Sequence, residues 1–166
     1  MAQVAAGRSE SLEPLVQRYS GPLVRFLHHL TGDRDRAEDL FQDTFLMVWR
    51  KRATYQFPRP FKPWLYTIAV NVSRAAFRTM KEFVMLSSDV PTNEPAGPPG
   101  QAIAAETAHR INRVIESMPP MQRAVVTLRI WEGLEYAEIA SVIGKTEATV
   151  RSHMSHGLAD LRAALA

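Results

Sequence analysis

Apolar residues recur at steps of three and four along most of this chain, and the longest interruption, between about Met85 and Ala102, reads LSSDVPTNEPAGPPGQA. Four prolines fall between Pro91 and Pro99 with two glycines beside them. Spacing of three and four places apolar side chains on one face of a helix, and neither strand alternation nor an internal repeat competes with it. A proline-rich stretch of roughly twenty residues is longer than the connections inside a compact domain. The expected architecture is all-α, with two small helical domains at 1–84 and 105–166 joined by a flexible linker at 85–104.

In SLEPLVQRYSGPLVRFLHHLTGD the apolar stripe runs through Leu12, Leu15, Val16, Tyr19, Leu23, Phe26, Leu27 and Leu30. Ser11 is its expected N-cap, Gly21-Pro22 a break or kink, and Gly32 its stop. A second helix is expected from about Asp35, burying Ala37, Leu40, Phe41, Thr44 and Val48. The three prolines of ATYQFPRPFKP imply an extended loop, after which Leu65, Ile68, Ala69 and Val72 resume the spacing. Helices then recur from about Ala105, in TAHRINRVIESM, MQRAVVTLRIWEG and EYAEIASVIGKTEATVRSHMSHGLADLR.

The last of these segments carries the clearest local signal. Ile139, Ala140, Val142 and Ile143 build a short helix, and Gly144 follows where a tight turn needs positive φ. Thr146 can cap a second helix that turns Val150 and Met154 inward. Small Ala140 allows a close crossing. This is the helix-turn-helix pattern, which points its second helix at the major groove, although a plain helical hairpin shares much of it. The outward set is Lys145, Thr149, Arg151, Ser152, Ser155 and His156, short polar and basic groups that reach base edges and phosphates.

Charge divides the chain unevenly. Residues 1–80 sum to +5, residues 81–105 to −2, and residues 106–166 to zero. A neutral C-terminal domain lacks the counterion-release term behind most non-specific affinity, so it should read DNA only when something else holds it there. From Thr44 to Lys81 no acidic residue occurs, while that stretch holds eight of the fourteen aromatics and eight Lys or Arg side chains. Cations that follow phosphates and rings that accept unstacked bases suit single-stranded nucleic acid, at roughly 1–3 kcal/mol per stacked base. Taken singly, each ring is better read as core.

Other classes find little support. The sequence has no cysteine, hence no disulfide framework and no thiolate metal site, which makes cytoplasmic residence the default. No apolar run approaches the ~18 residues of a membrane span, and MAQVAAGRSESLEPL lacks signal-peptide order. There is no phosphate loop, nucleophile elbow or HExxH, so an enzyme is not expected, nor a cofactor. His153 and His156 share a helix face without a third ligand to complete a metal site, and His28-His29 reads as a surface pair.

AEDLFQDTFLMVWRKR, FKPWLYTIAVNVSR and EGLEYAEIASVIGKTEATVRSHM, in this order and spacing, resemble an extracytoplasmic-function (ECF) sigma factor of bacterial RNA polymerase. The resemblance covers nearly the whole chain and implies a division of labour. Asp39, Gln42, Asp43, Phe45 and Trp49 would dock on the β′ clamp of core polymerase. Arg59, Lys62, Asn71, Arg74 and Arg78 would handle the melted −10 strand, with Trp64 more in keeping with core. The C-terminal pair of helices would read the −35 duplex, the β flap would be a second polymerase contact, and an anti-sigma factor would be a partner. Val70 and Ala75 stand where family members often carry a basic and an acidic residue. His156-Gly157 stands where Arg-Ala is common, and Lys145 replaces an apolar residue. A glycine inside a helix is expected to cost ~1 kcal/mol relative to alanine. The competing readings are a sigma-like decoy that sequesters an anti-sigma factor and a helix-turn-helix regulator that does not initiate transcription.

Overall fold

A computed structural model describes residues 1–84 and 102–166, and every regular element among them is helical. A short α1 (Ala2–Ala5) precedes α2 (Glu13–Thr31), α3 (Arg34–Arg50) and α4 (Phe61–Val84). The second set is α5 (Ala102–Ser117), α6 (Pro120–Ile130), α7 (Tyr136–Ile143) and α8 (Glu147–Leu165). The linker expected at 85–104 lies mostly outside the described residues, and its last three positions belong to α5.

In the first set, Leu23, Phe26, Leu27 and Leu30 of α2 meet Ala37, Leu40, Phe45 and Val48 of α3 and Leu65, Tyr66 and Ala69 of α4, all buried. Phe26 and Tyr66 pack edge to face at 5.1 Å. Gly32 ends α2 at φ 69°, the left-handed conformation that suits a residue without Cβ, and Asp33 caps α3 by accepting from Arg36 N.

Four sequence expectations change here. Ser11 does not cap α2; it lies in a short 3-10 turn and donates to Gln3 Oε1 at 2.9 Å. Gly21-Pro22 does not break α2, which runs through both, because half-buried Leu15, Val16 and Tyr19 before it and buried Leu23, Phe26 and Leu27 after it hold the helix by packing. Phe41 is half-buried and Phe45 takes the core position. His29 is no surface residue: it is 7% exposed and its ring lies 5.1 Å from that of Trp131.

That last contact reaches across the molecule. Arg123 of α6 donates to the carbonyls of His29 and Leu30 at the end of α2, and to those of Glu116 and Met118 at the end of α5. Helix ends leave carbonyls unsatisfied and carry negative dipole charge, so one guanidinium serves both ends. Burial lowers its pKa, against the opposing influence of Glu116. The helix α7 packs along α4, and the two helical sets share a contiguous core.

Candidate nucleic-acid interface

The C-terminal turn is built by local chemistry. Glu135 and Glu138 form a reciprocal capping box at the start of α7, with Glu135 N donating to Glu138 Oε2 at 2.8 Å. Gly144 closes the helix at φ 68°, and Thr146 Oγ1 accepts from Thr149 N at 3.2 Å to start α8. Val150 and Met154 face the core, at 0% and 6% exposure. The chain therefore presents Lys145, Arg151, Ser152, Ser155 and His156 outward, all exposed. Thr149 is half-buried with its hydroxyl 3.0 Å from that of Thr146, which ties it to the cap. Arg151 lies 3.5 Å from Glu147 and its guanidinium stands 4.4 Å over the Tyr136 ring, so it is aimed before any ligand arrives.

Gly157 has a role the sequence did not show. It is buried, and a Cβ there would overlap Val126 Cγ2 of α6. The glycine is what lets α8 lie against α6, so its intrinsic helix penalty is offset by close packing.

The acid-free segment divides its aromatics by task. Tyr55, Phe61 and Trp64 pack against one another at 5.2 to 6.2 Å, and Tyr19 of α2 closes on Phe61 at 5.3 Å. This half-buried cluster supports the loop before α4, where the Tyr55 hydroxyl donates to the carbonyl of Arg59. Phe57 stands apart at 75% exposure. It belongs to the aromatic run noted in the sequence but was not placed in the site set, although a ring followed by proline in a base-rich loop has no helix face on which to be buried. Arg59, Asn71, Arg74 and Arg78 are exposed; the last three recur at three- and four-residue steps on one face of α4. Lys62 is half-buried and engaged: its ammonium donates to the Glu132 carbonyl at 2.6 Å and pairs with the Glu132 carboxylate at 3.1 Å.

On α3, Asp39, Gln42 and Asp43 are exposed in one row, and Leu46 extends that row at 54% exposure. Leu46 was not singled out by sequence. Phe45, placed in the docking set by resemblance, is 6% exposed, and supports this face from beneath. Trp49 is half-buried, with the Arg52 guanidinium 4.1 Å from its ring centroid.

Among the described residues no group of three or more His, Cys, Asp or Glu side chains is placed to hold a metal, and no helix is long and apolar enough to cross a membrane.

Comparison with known proteins agrees with this arrangement. Residues 15–82 match the Sigma-70 region 2 model, and residues 108–161 match Sigma-70, region 4. The ECF RNA polymerase sigma factor SigE of Mycolicibacterium smegmatis is 34% identical over 161 residues, covering 94% of this chain and 62% of SigE. The RNA polymerase sigma factor CarQ of Myxococcus xanthus is 30% identical over 163 residues, covering 98% of this chain and 93% of CarQ. Among solved structures, the sigma factor RpoE of Bartonella quintana, in complex with the anti-sigma factor NepR, shares the fold with a TM-score of 0.82 at 24% identity, over 94% of this chain and 97% of that one. This chain belongs to the ECF sigma factors of bacterial RNA polymerase.

Proposed function

We propose that the chain binds core RNA polymerase and directs promoter-specific initiation, with α8 reading the −35 duplex and the segment from Arg59 to Arg78 handling the −10 strand once melted. The observation that carries this reading is the separation of three exposed surfaces with different chemistry. The row on α3 is acidic and amide-bearing with one apolar side chain, as a protein-docking face requires. Basic side chains and a free ring occupy the loop and α4, which suits phosphates and unstacked bases. The first half of α8 offers short polar groups set on a rigid turn, which suits base edges.

Core polymerase docking is assigned to Asp39, Gln42 and Asp43, joined by Leu46 and flanked by Trp49. The −10 strand is assigned to Arg59, Lys62, Asn71, Arg74 and Arg78, and the −35 element to Lys145, Thr149, Arg151, Ser152, Ser155 and His156. By analogy with the RpoE complex, an anti-sigma factor is a further partner. The N-terminal domain carries docking and melting, and the C-terminal domain carries duplex reading.

Co-elution with core polymerase, followed by transcription from a promoter library, tests the proposal. Discrete start sites sharing one −35 motif are expected. Asp39→Ala combined with Gln42→Ala should abolish co-elution while leaving the helical circular dichroism intact. Arg151→Ala should retain co-elution and weaken promoter selection, by about 1–3 kcal/mol where Arg151 contacts a base. Binding to core without transcripts would favour the decoy, and loss of core binding in Arg151→Ala would overturn the division between the two halves.

A further inference from the structure

The loop that carries Phe57 and Arg59 leads directly into α4 at one end, but at the other it rests on a single 3-10 turn, Arg52–Thr54. That turn has two supports. Arg52 donates to the Trp49 carbonyl at 2.8 Å and lies over the Trp49 ring, which ties the turn to the end of α3. The second support is α1, the first helix of the chain, which packs against the same turn.

A helix of four residues does not hold itself together, because nucleation is costly and one turn gains few bonds. Burial holds it instead. Among the described residues before Leu23, Val4 alone is buried, at 0% exposure. Yet Val4 stands outside the contiguous core of α2 to α8, so its cover comes from the short elements that α1 packs on, the turns at Ser9–Ser11 and Arg52–Thr54. Gly7 N donates to the Val4 carbonyl at 2.9 Å and Arg8 N to the Gln3 carbonyl at 3.1 Å, while the Ser11 hydroxyl holds Gln3 Oε1. These bonds fold the segment back on itself and leave one apolar side chain to plug the foot of the loop.

The tip of the loop is coupled to that foot. Tyr55 N donates to the Arg52 carbonyl at 3.3 Å, and the Tyr55 hydroxyl donates to the Arg59 carbonyl. Arg59 N donates to the Gln56 carbonyl at 2.9 Å, which closes a tight turn around Phe57. A displaced foot therefore carries Tyr55 and the tip with it. A loop positions its binding groups only as well as the scaffold fixes its ends. Asn71, Arg74 and Arg78 ride on α4 whatever the loop does, so the foot sets how Phe57 and Arg59 stand relative to them.

We propose that α1 is a brace for this loop, with Val4 a positioning residue that fixes where Phe57 and Arg59 meet the melted strand. The inference rests on the function proposed above for the loop. Val4 is fully buried and acts through the turn Arg52–Thr54. A loop held in its binding geometry beforehand loses less freedom when a strand arrives, which is where the brace contributes affinity.

The brace can be read with and without DNA. The chain has no cysteine, so Gln56→Cys puts a single dye at an exposed position of the tip. Val4→Ala should lower the anisotropy of that dye. In the undyed chain it should weaken binding of a labelled oligothymidylate of about a dozen nucleotides by about two- to tenfold, the cost of ordering a side chain no longer held. Phe57→Ala should weaken the same binding by roughly five- to a hundredfold, the worth of one stacked base. In the Phe57→Ala background the effect of Val4→Ala should shrink, because the ring it positions is gone, whereas a general structural loss would add in full. Full additivity, or unchanged anisotropy in a folded Val4→Ala, overturns the brace. Ser11→Ala removes the bond to Gln3 and leaves Val4 in place. It should move both readouts in the same direction by less, and it decides if Val4→Ala does not fold: no change in either then overturns the brace. Co-elution with core polymerase should survive both variants, and its loss would show that α1 serves the docking face on α3 instead. Lowered anisotropy with oligothymidylate binding indifferent to Phe57 would defeat the assignment of the loop to the −10 strand and leave the brace standing. A tip that stays rigid in Val4→Ala while Phe57→Ala weakens binding would do the reverse.

Discussion

At the residue scale, two positions turn on contacts that their neighbours in sequence do not reveal. Gly157 should resist replacement, because the Cβ of Gly157→Ala must displace Val126 of α6. The loss expected from overpacking, about 1–3 kcal/mol, exceeds the ~1 kcal/mol gained in helix propensity, so the urea midpoint should fall. A rise in the midpoint would show that α6 and α8 can part at little cost. His29 makes a prediction about acid. Burial against Trp131, with the nearby positive charge of His28, Arg25 and Arg123 acting in the same direction, lowers its pKa to about 4. The unfolded chain takes up this proton near pH 6.5 and the folded chain only near 4. Stability should therefore be complete above about pH 6.5 and fall between there and pH 4, by at most roughly 3 kcal/mol. Denaturant titrations of His29→Gln across that range should show a shallower slope than the parent; an equal slope would place the proton uptake elsewhere.

At the element scale, the turn between α7 and α8 rests on a glycine at φ 68° and a threonine cap. Thr146→Ala should cost about 1 kcal/mol, and Gly144→Ala a similar amount from backbone strain. The two changes touch one turn and should not add simply, which a double-mutant cycle in urea would show. This turn was legible in the sequence, as were the stop at Gly32 and the inward pair Val150 and Met154, because each is decided by residues within one or two turns. The other expectations failed where a distant element decides. Ser11 has a capping side chain, but α2 begins beyond it. Gly21-Pro22 carries every local signal of a break, yet packing on both sides carries the helix through. Phe41 and Phe45 are four residues apart on α3, and only the position of α2 and α4 determines which ring is buried. The candidate site divided the same way. The outward residues of α8 follow from helix phase, whereas the engagement of Lys62 by Glu132, seventy residues away, has no sequence signature.

At the scale of the whole molecule, Arg123 joins the halves by serving the ends of α2 and α5 together. Arg123→Met should keep the volume and remove these bonds, at about 2–3 kcal/mol for hydrogen bonds to a charged group. Its effect should appear in both halves at once. Circular dichroism and tryptophan fluorescence, which samples Trp49 and Trp64 in one half and Trp131 in the other, should follow a single shared transition at a lower midpoint. Two separated transitions in the parent chain would show that the halves fold independently despite the shared core.

The contact between α4 and α7 also has a concentration attached to it. A short tether holds two binding surfaces at an effective concentration in the millimolar range. Surfaces joined in this way are closed in proportion to the ratio of that concentration to their dissociation constant as separate molecules, so a millimolar constant, about 4 kcal/mol, leaves closed and open forms about equal. A partner that holds the halves apart has to overcome only the excess of their affinity over that concentration, about 1.4 kcal/mol for each tenfold by which their dissociation constant lies below it, and any binding energy beyond that remains available for its own grip on the chain.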